Sequence, residues 1–173
     1  MGTPLHQPSL DFAPVVLIAD DNRMIRELCR EALKDDYLRV LTAANGVEAL
    51  ALADRWILDV LVTDIVMPGL DGFGLLRALR RRYPGMSAIA MTADADYRGR
   101  SVQEITTAHG FPWTLLKPFD VSLLCAAVRS LCNGQGAPPQ DAGPLSGGQW
   151  GAAPQLGATS SPETKGPLEN FAR

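Results

Sequence analysis

The sequence predicts an α/β protein: a doubly wound, five-stranded parallel sheet with helices on both faces, a (βα)5 arrangement. Three observations carry this. Short apolar runs of strand length recur along the chain, each is followed by apolar residues at helical spacing, and the two patterns alternate five times. Strand and helix in strict alternation require parallel pairing through right-handed crossovers, with both faces of the sheet covered.

The elements follow in order from residue 15. The run 15–19 (V-V-L-I-A) is a buried strand, ending at Asp20 and Asp21. Met24, Ile25, Leu28, Cys29, Ala32 and Leu33 then recur with a period of 3.6, which predicts a helix over 23–34. A second strand is read at 38–43, and Asn45 with Glu48 three residues on caps a helix running through Asp54. The central strand, 60–63, delivers Asp64 to its carboxyl end. Pro68 and Gly69 form a turn, and Asp71 caps a helix over 72–83 that stops before Pro84. A fourth strand, 88–92, ends at Thr92, and a helix is expected over 97–108 despite Gly99, Thr106 and Thr107. The fifth strand, 113–116, ends at Lys117-Pro118, and Asp120 caps a last helix over 121–131.

On either side the composition changes. Residues 1–14 carry three prolines and read as a flexible N-terminal extension; 15–132 form the folded domain; 133–173 are rich in Gly, Pro, Ala, Ser and Gln and read as a disordered tail. Trp150 and Phe171 in that tail read as solvated residues rather than docking anchors. Hydrophobic content of 46% supports a real core, and a net charge of -3 gives no basic field for nucleic acid or an anionic membrane. Arg77, Arg80, Arg81 and Arg82 are read as a solvated helix face, so direct DNA binding is not expected. Cys29, Cys125 and Cys132 have no metal or dithiol spacing, and no apolar run is long enough to span a bilayer. A cytoplasmic protein with no membrane contact is the expectation.

Asp20, Asp21, Asp64, Thr92 and Lys117 all stand at strand carboxyl ends, which in a doubly wound sheet face one crevice. Three crowded carboxylates repel one another unless a cation is bound, and Mg2+ suits hard oxygen ligands that also approach phosphate. Lys117 adds a movable positive charge and Thr92 a hydroxyl donor. The set is suited to phosphoryl transfer, in which a carboxylate can itself be the nucleophile. Taken singly, the residues have plainer readings: Asp20 as a helix cap, Asp64 as a turn residue, Lys117 as a solvated charge and Thr92 as an ordinary strand residue.

At these residues the chain resembles the receiver domain of two-component response regulators, in its stand-alone, chemotaxis-type form. The resemblance rests on A-D-D after the first strand, D-I-V-M-P-G-L-D-G from Asp64, M-T-A at Met91 and L-L-K-P-F, in that order. It implies a flavodoxin-like fold and a single-domain response regulator, not an enzyme in the ordinary sense but a phosphoacceptor that promotes its own phosphorylation and slow dephosphorylation. It further implies that Asp64 accepts a phosphoryl group from a sensor histidine kinase or a histidine phosphotransfer protein. Mg2+ would be held by Asp21 directly, by Asp20 mainly through water, by Asp64 and by the Val66 backbone carbonyl, with Thr92 and Lys117 gripping phosphoryl oxygens and a cis Lys117-Pro118 bond. Two alternatives stand beside it: a degenerate, non-phosphorylated receiver acting as a scaffold, and an aspartyl phosphatase of the haloacid dehalogenase type. The phosphatase needs a second aspartate where this chain has Val66.

The chain departs from the family pattern in two places. Thr114 stands where receivers usually carry a Tyr or Phe whose rotation accompanies activation. Val66 stands where a polar side chain often orients the hydrolytic water, leaving Asp94 as the polar candidate for that job. Between 121 and 131 the only charged residue is Arg129, so the face 114–131 is expected to meet a downstream protein or a second copy of the chain, or else to pack into the core.

Overall fold

A computed structural model describes residues 13–34, 38–97 and 99–134. The predicted extension and tail lie almost wholly outside these residues. Twelve elements follow one another: β1 (Val15–Ala19), α1 (Arg23–Leu33), β2 (Arg39–Ala43), α2 (Gly46–Ala53), β3 (Val60–Asp64), α3 (Gly72–Arg80), β4 (Ser87–Thr92), β5 (Asp96–Tyr97), β6 (Arg100–Ser101), α4 (Val102–Ala108), β7 (Trp113–Leu116) and α5 (Val121–Cys132). Five strands form one parallel sheet in the order β2-β1-β3-β4-β7. This is the flavodoxin-like order, whose reversal of direction falls between β1 and β3.

β1 and β3 are buried along their whole length, because helices cover both faces. Alternate residues feed two cores. Leu17, Ala19 and Leu61 pack with Leu75, Leu76 and Leu79 of α3 and with Ala49 and Ala53 of α2. Val16, Ile18, Val60 and Val62 pack with Cys29 and Leu33 of α1 and with Leu124, Ala127 and Val128 of α5. The unusually apolar α5 is largely absorbed this way, with Leu123, Leu124, Ala127 and Val128 buried. No membrane-length apolar helix exists among the described residues. Cys29 is fully buried against the sheet, and burial pushes its thiol up to about 12.

Three predicted helix starts are realised by side chains. Asn45 Oδ1 accepts from the Glu48 amide while Glu48 accepts from the Ala44 amide; Asp71 caps α3 through the Gly74 amide, and Asp120 caps α5 through the Ser122 amide. The expected helix over 97–108 is corrected. Its first part is an antiparallel two-stranded hairpin, β5 with β6, turning at Gly99 with φ 77, and only Val102–Ala108 is helical. The expected helix 72–83 also ends early, at Arg80, after which the Tyr83 hydroxyl donates to the carbonyls of Ala53 and Trp56. Arg82 pairs with Asp54 and Arg80 donates to the Gly110 carbonyl, so two of the four clustered arginines tie elements together.

Candidate functional site

Four of the residues singled out in the sequence meet where β1, β3 and β7 end. Lys117 Nζ donates to Asp20 Oδ2 at 2.6 Å and to Asp64 Oδ2 at 2.8 Å. One carboxylate oxygen each from Asp20, Asp21 and Asp64 lies within 4.8 Å of the other two. Asp20 is fully buried, Asp64 nearly so at 8% exposure, and Asp21 is exposed. The bond preceding Pro118 is cis.

Backbone geometry at the strand ends fixes these groups. The Asp20 amide donates to the Ala43 carbonyl at 3.2 Å, extending the pairing of β1 and β2 by one residue. Asp20 Oδ1 accepts from the Asn22 amide, and Asn22 in turn caps α1 through the Met24 amide. Asp64 Oδ1 accepts from the Val66 amide at 3.1 Å, so both of its carboxylate oxygens are engaged. The Lys117 amide donates to the Thr92 carbonyl at 2.7 Å, which sets Thr92 beside the lysine. The Thr92 hydroxyl itself bonds to the backbone of Asp94. Val66 is 54% exposed at the rim.

The electrostatics follow from burial. Loss of water pushes the Asp20 carboxyl above its ordinary range; bonds from Lys117 and Asn22 pull it back, and the charge of Asp64 adds to the rise. Burial works against the Lys117 ammonium too, but its hydrogen bonds to Asp20 and Asp64 and their negative charges outweigh that, holding it above its usual value. Three carboxylates thus face one ammonium. Such a hard-oxygen, negatively charged donor set fits Mg2+, which keeps part of its water shell and takes the remainder from carboxylates.

Two supporting residues were not singled out in the sequence. A Cβ on Gly72 would lie 2.3 Å from the Asp64 carbonyl oxygen, so only glycine lets α3 begin directly against the end of β3. Arg26 Nη1 donates to the carbonyls of Asp20 at 2.8 Å and Asp21 at 3.0 Å. Its signal was present: an arginine one helical turn beyond an aspartate pair can reach back over the first turn. Thr114 is buried, and its hydroxyl lies 2.6 Å from that of Thr106 in α4.

A doubly wound sheet of this order with an acidic crevice at its carboxyl edge and a lysine bridging two aspartates defines a signalling-type receiver fold. The chain belongs to the response regulator receiver domain family, whose sequence model matches residues 16–129. It is 35% identical over 119 residues to an uncharacterized 14.6 kDa protein of Leptolyngbya boryana, covering 68% of this chain and 88% of that one. It is 36% identical over 114 residues to the DNA-binding transcriptional regulator NtrC of Salmonella typhimurium, covering 66% of this chain and 24% of NtrC. Among solved structures it resembles the chemotaxis response regulator CheY4 of Vibrio cholerae, with a TM-score of 0.61 and 30% identity, covering 69% of this chain and 98% of that one.

Proposed function

We propose that residues 15–132 form a phosphorylation-controlled binding module of the cytoplasm, in which Asp64 accepts a phosphoryl group from a sensor histidine kinase or a histidine phosphotransfer protein. The observation that carries this reading is Lys117 Nζ bonded to both Asp20 and Asp64, with the Asp21 carboxylate in the same cluster. A carboxylate oxygen of Asp64 forms the new P–O bond as the P–N bond of the phosphohistidine breaks, and the electron pair leaves on the imidazole nitrogen. Asp64 is a competent nucleophile because its oxygens lie at a strand end, oriented by the Val66 amide and by Lys117. As the phosphoryl group arrives, Lys117 supplies charge to its oxygens and Thr92 a hydroxyl from the neighbouring strand end.

Asp21 and Asp64, the Val66 carbonyl, and Asp20 through water would hold Mg2+. When bound, the ion neutralises negative charge on carboxylate and phosphoryl oxygens. Val66 offers no side-chain group to orient a hydrolytic water, so the acyl phosphate is long-lived and Val66→Asn shortens its lifetime. The output contact is assigned to the outer side of the 114–131 region, where Ser122 and Arg129 are exposed. A downstream protein or a second copy would bind there.

The test is intact-mass spectrometry after incubation with Mg2+ and acetyl phosphate. The reading predicts one added phosphoryl group that is lost with EDTA or with Asp64→Ala. No adduct, under conditions that label a control receiver, would replace it with the non-phosphorylated scaffold.

A further inference from the structure

We infer that Arg26 is a positioning residue for the acidic site, a clamp on the backbone that aims Asp21 at the metal. The inference rests on reading the Asp20, Asp21 and Asp64 cluster as a Mg2+ site. The two aspartates of the first loop are held very differently. Asp20 is fixed through its own side chain, with Oδ1 accepting from the Asn22 amide and Oδ2 from Lys117. Asp21 is exposed, and among the described residues nothing holds its carboxylate. Its direction is therefore set by the backbone that carries it.

That backbone is gripped from α1. Arg26 opens the helical ladder, its amide donating to the Asn22 carbonyl at 3.1 Å, and its half-buried guanidinium folds back to the carbonyls of Asp20 and Asp21. No other donor reaches these two carbonyls among the described residues. One nitrogen bridging consecutive carbonyls fixes the rotation of the intervening peptide, and with it the direction in which Asp21 leaves the chain. The guanidinium also brings a positive charge to a loop bearing two carboxylates. Neighbouring Arg23 is spent differently, paired with Glu27 on the exposed side of the helix. A residue that orients a metal ligand without touching the metal commonly governs affinity as strongly as a weak ligand does.

The experiment is calorimetric titration of the whole chain with Mg2+ alone, alongside melting in EDTA, for Arg26→Met, Arg26→Lys and Arg30→Met. Arg26→Met is expected to weaken Mg2+ binding about tenfold. Arg26→Lys, which keeps a charge and several donors, recovers most of that loss. Arg30→Met removes the same charge from an exposed site one turn on and leaves the affinity at the wild-type value. If Arg26→Met does not fold, Arg26→Gln takes its place with the same prediction. Wild-type affinity in a folded Arg26 variant, even one with a lowered melting temperature in EDTA, would make the residue merely structural and overturn the inference. An equal loss in Arg30→Met would overturn it in favour of long-range charge. A wild-type chain that binds no Mg2+ would overturn the metal reading and this inference together.

Discussion

The acidic corner between β1 and β3 and the edge formed by α4 and β7 belong to one sheet but are supported in different ways. At the corner, Asp20 is held through its amide, its carbonyl and both carboxylate oxygens, and Gly72 brings α3 into contact with the backbone of Asp64. At the edge, a seven-residue helix begins at Val102 after an N-cap, Ser101, that makes no side-chain cap bond, and it follows a hairpin of two residues per strand. It is tied to β7 by the Thr106 and Thr114 hydroxyls. Geometry that must aim charges is fixed by redundant bonds within a few residues of the strand ends. At the edge, the Thr106 and Thr114 hydroxyl pair can be removed without changing a residue of the acidic cluster.

Glycine substitutions separate the two regions most sharply. Gly72→Ala drives a Cβ into the Asp64 carbonyl and is expected to cost about 3 kcal/mol in urea unfolding, with loss of phosphoryl labelling. Gly99→Ala, at φ 77 with open space around it, is expected to cost about 1 kcal/mol and to leave labelling intact. An equal cost at the two positions would erase the distinction.

Lys117→Met strands two buried carboxylates and is expected to cost about 2 kcal/mol near neutral pH, read by urea unfolding in EDTA. The pH dependence has a definite sign. Asp20 has a raised carboxyl pKa in the fold, so its protonated form is favoured there, and the cost of burying its charge fades as pH falls through the folded value towards 3.8. The gap between Lys117→Met and wild type should therefore narrow on acidification. Lys117 is itself raised, so its contribution persists up to 10.5 and is lost only as pH climbs through its folded value. A gap that widens in acid would contradict this.

Thr114→Val is expected to cost about 1 kcal/mol through loss of the buried hydroxyl pair, with Thr106 keeping its bond to the Gln103 carbonyl. Adding Thr106→Val should cost less than the sum of the single changes, by about 0.5 kcal/mol or more. Caps give the smallest contrast. Asp71→Ala should cost about 1 kcal/mol, because the Gly74 amide loses its acceptor, whereas Ser101→Ala at the uncapped α4 should stay within about 0.5 kcal/mol.

The same contrast explains what was legible in the sequence. Asp20, Asp64, Thr92 and Lys117 could be placed because each ends an apolar run, and an apolar run needs no neighbours to be recognised. Asn45, Asp71 and Asp120 could be read as caps because capping is local chemistry. The hairpin is not legible because strands of two residues have no periodicity, and Gly99 reads in the sequence as a poor helix former although it is a turn residue. The sequence places the end of α3 at Tyr83, before Pro84, although the chain leaves the helix at Arg80. Gly72 could be read as a helix start, but its close approach to β3 exists only in three dimensions. The width of the apolar surface on α5 left core packing and a partner face open, and most of it turns inward against α1 and the sheet.

The most direct test of the account is to locate the modified residue. After phosphorylation with acetyl phosphate and Mg2+, borohydride converts an acyl phosphate on aspartate to homoserine, which peptide sequencing by mass spectrometry can place. The account predicts homoserine at residue 64 alone, absent without donor. Reduction at Asp20 or Asp21, or at no residue in a chain that has gained phosphoryl mass, would contradict it.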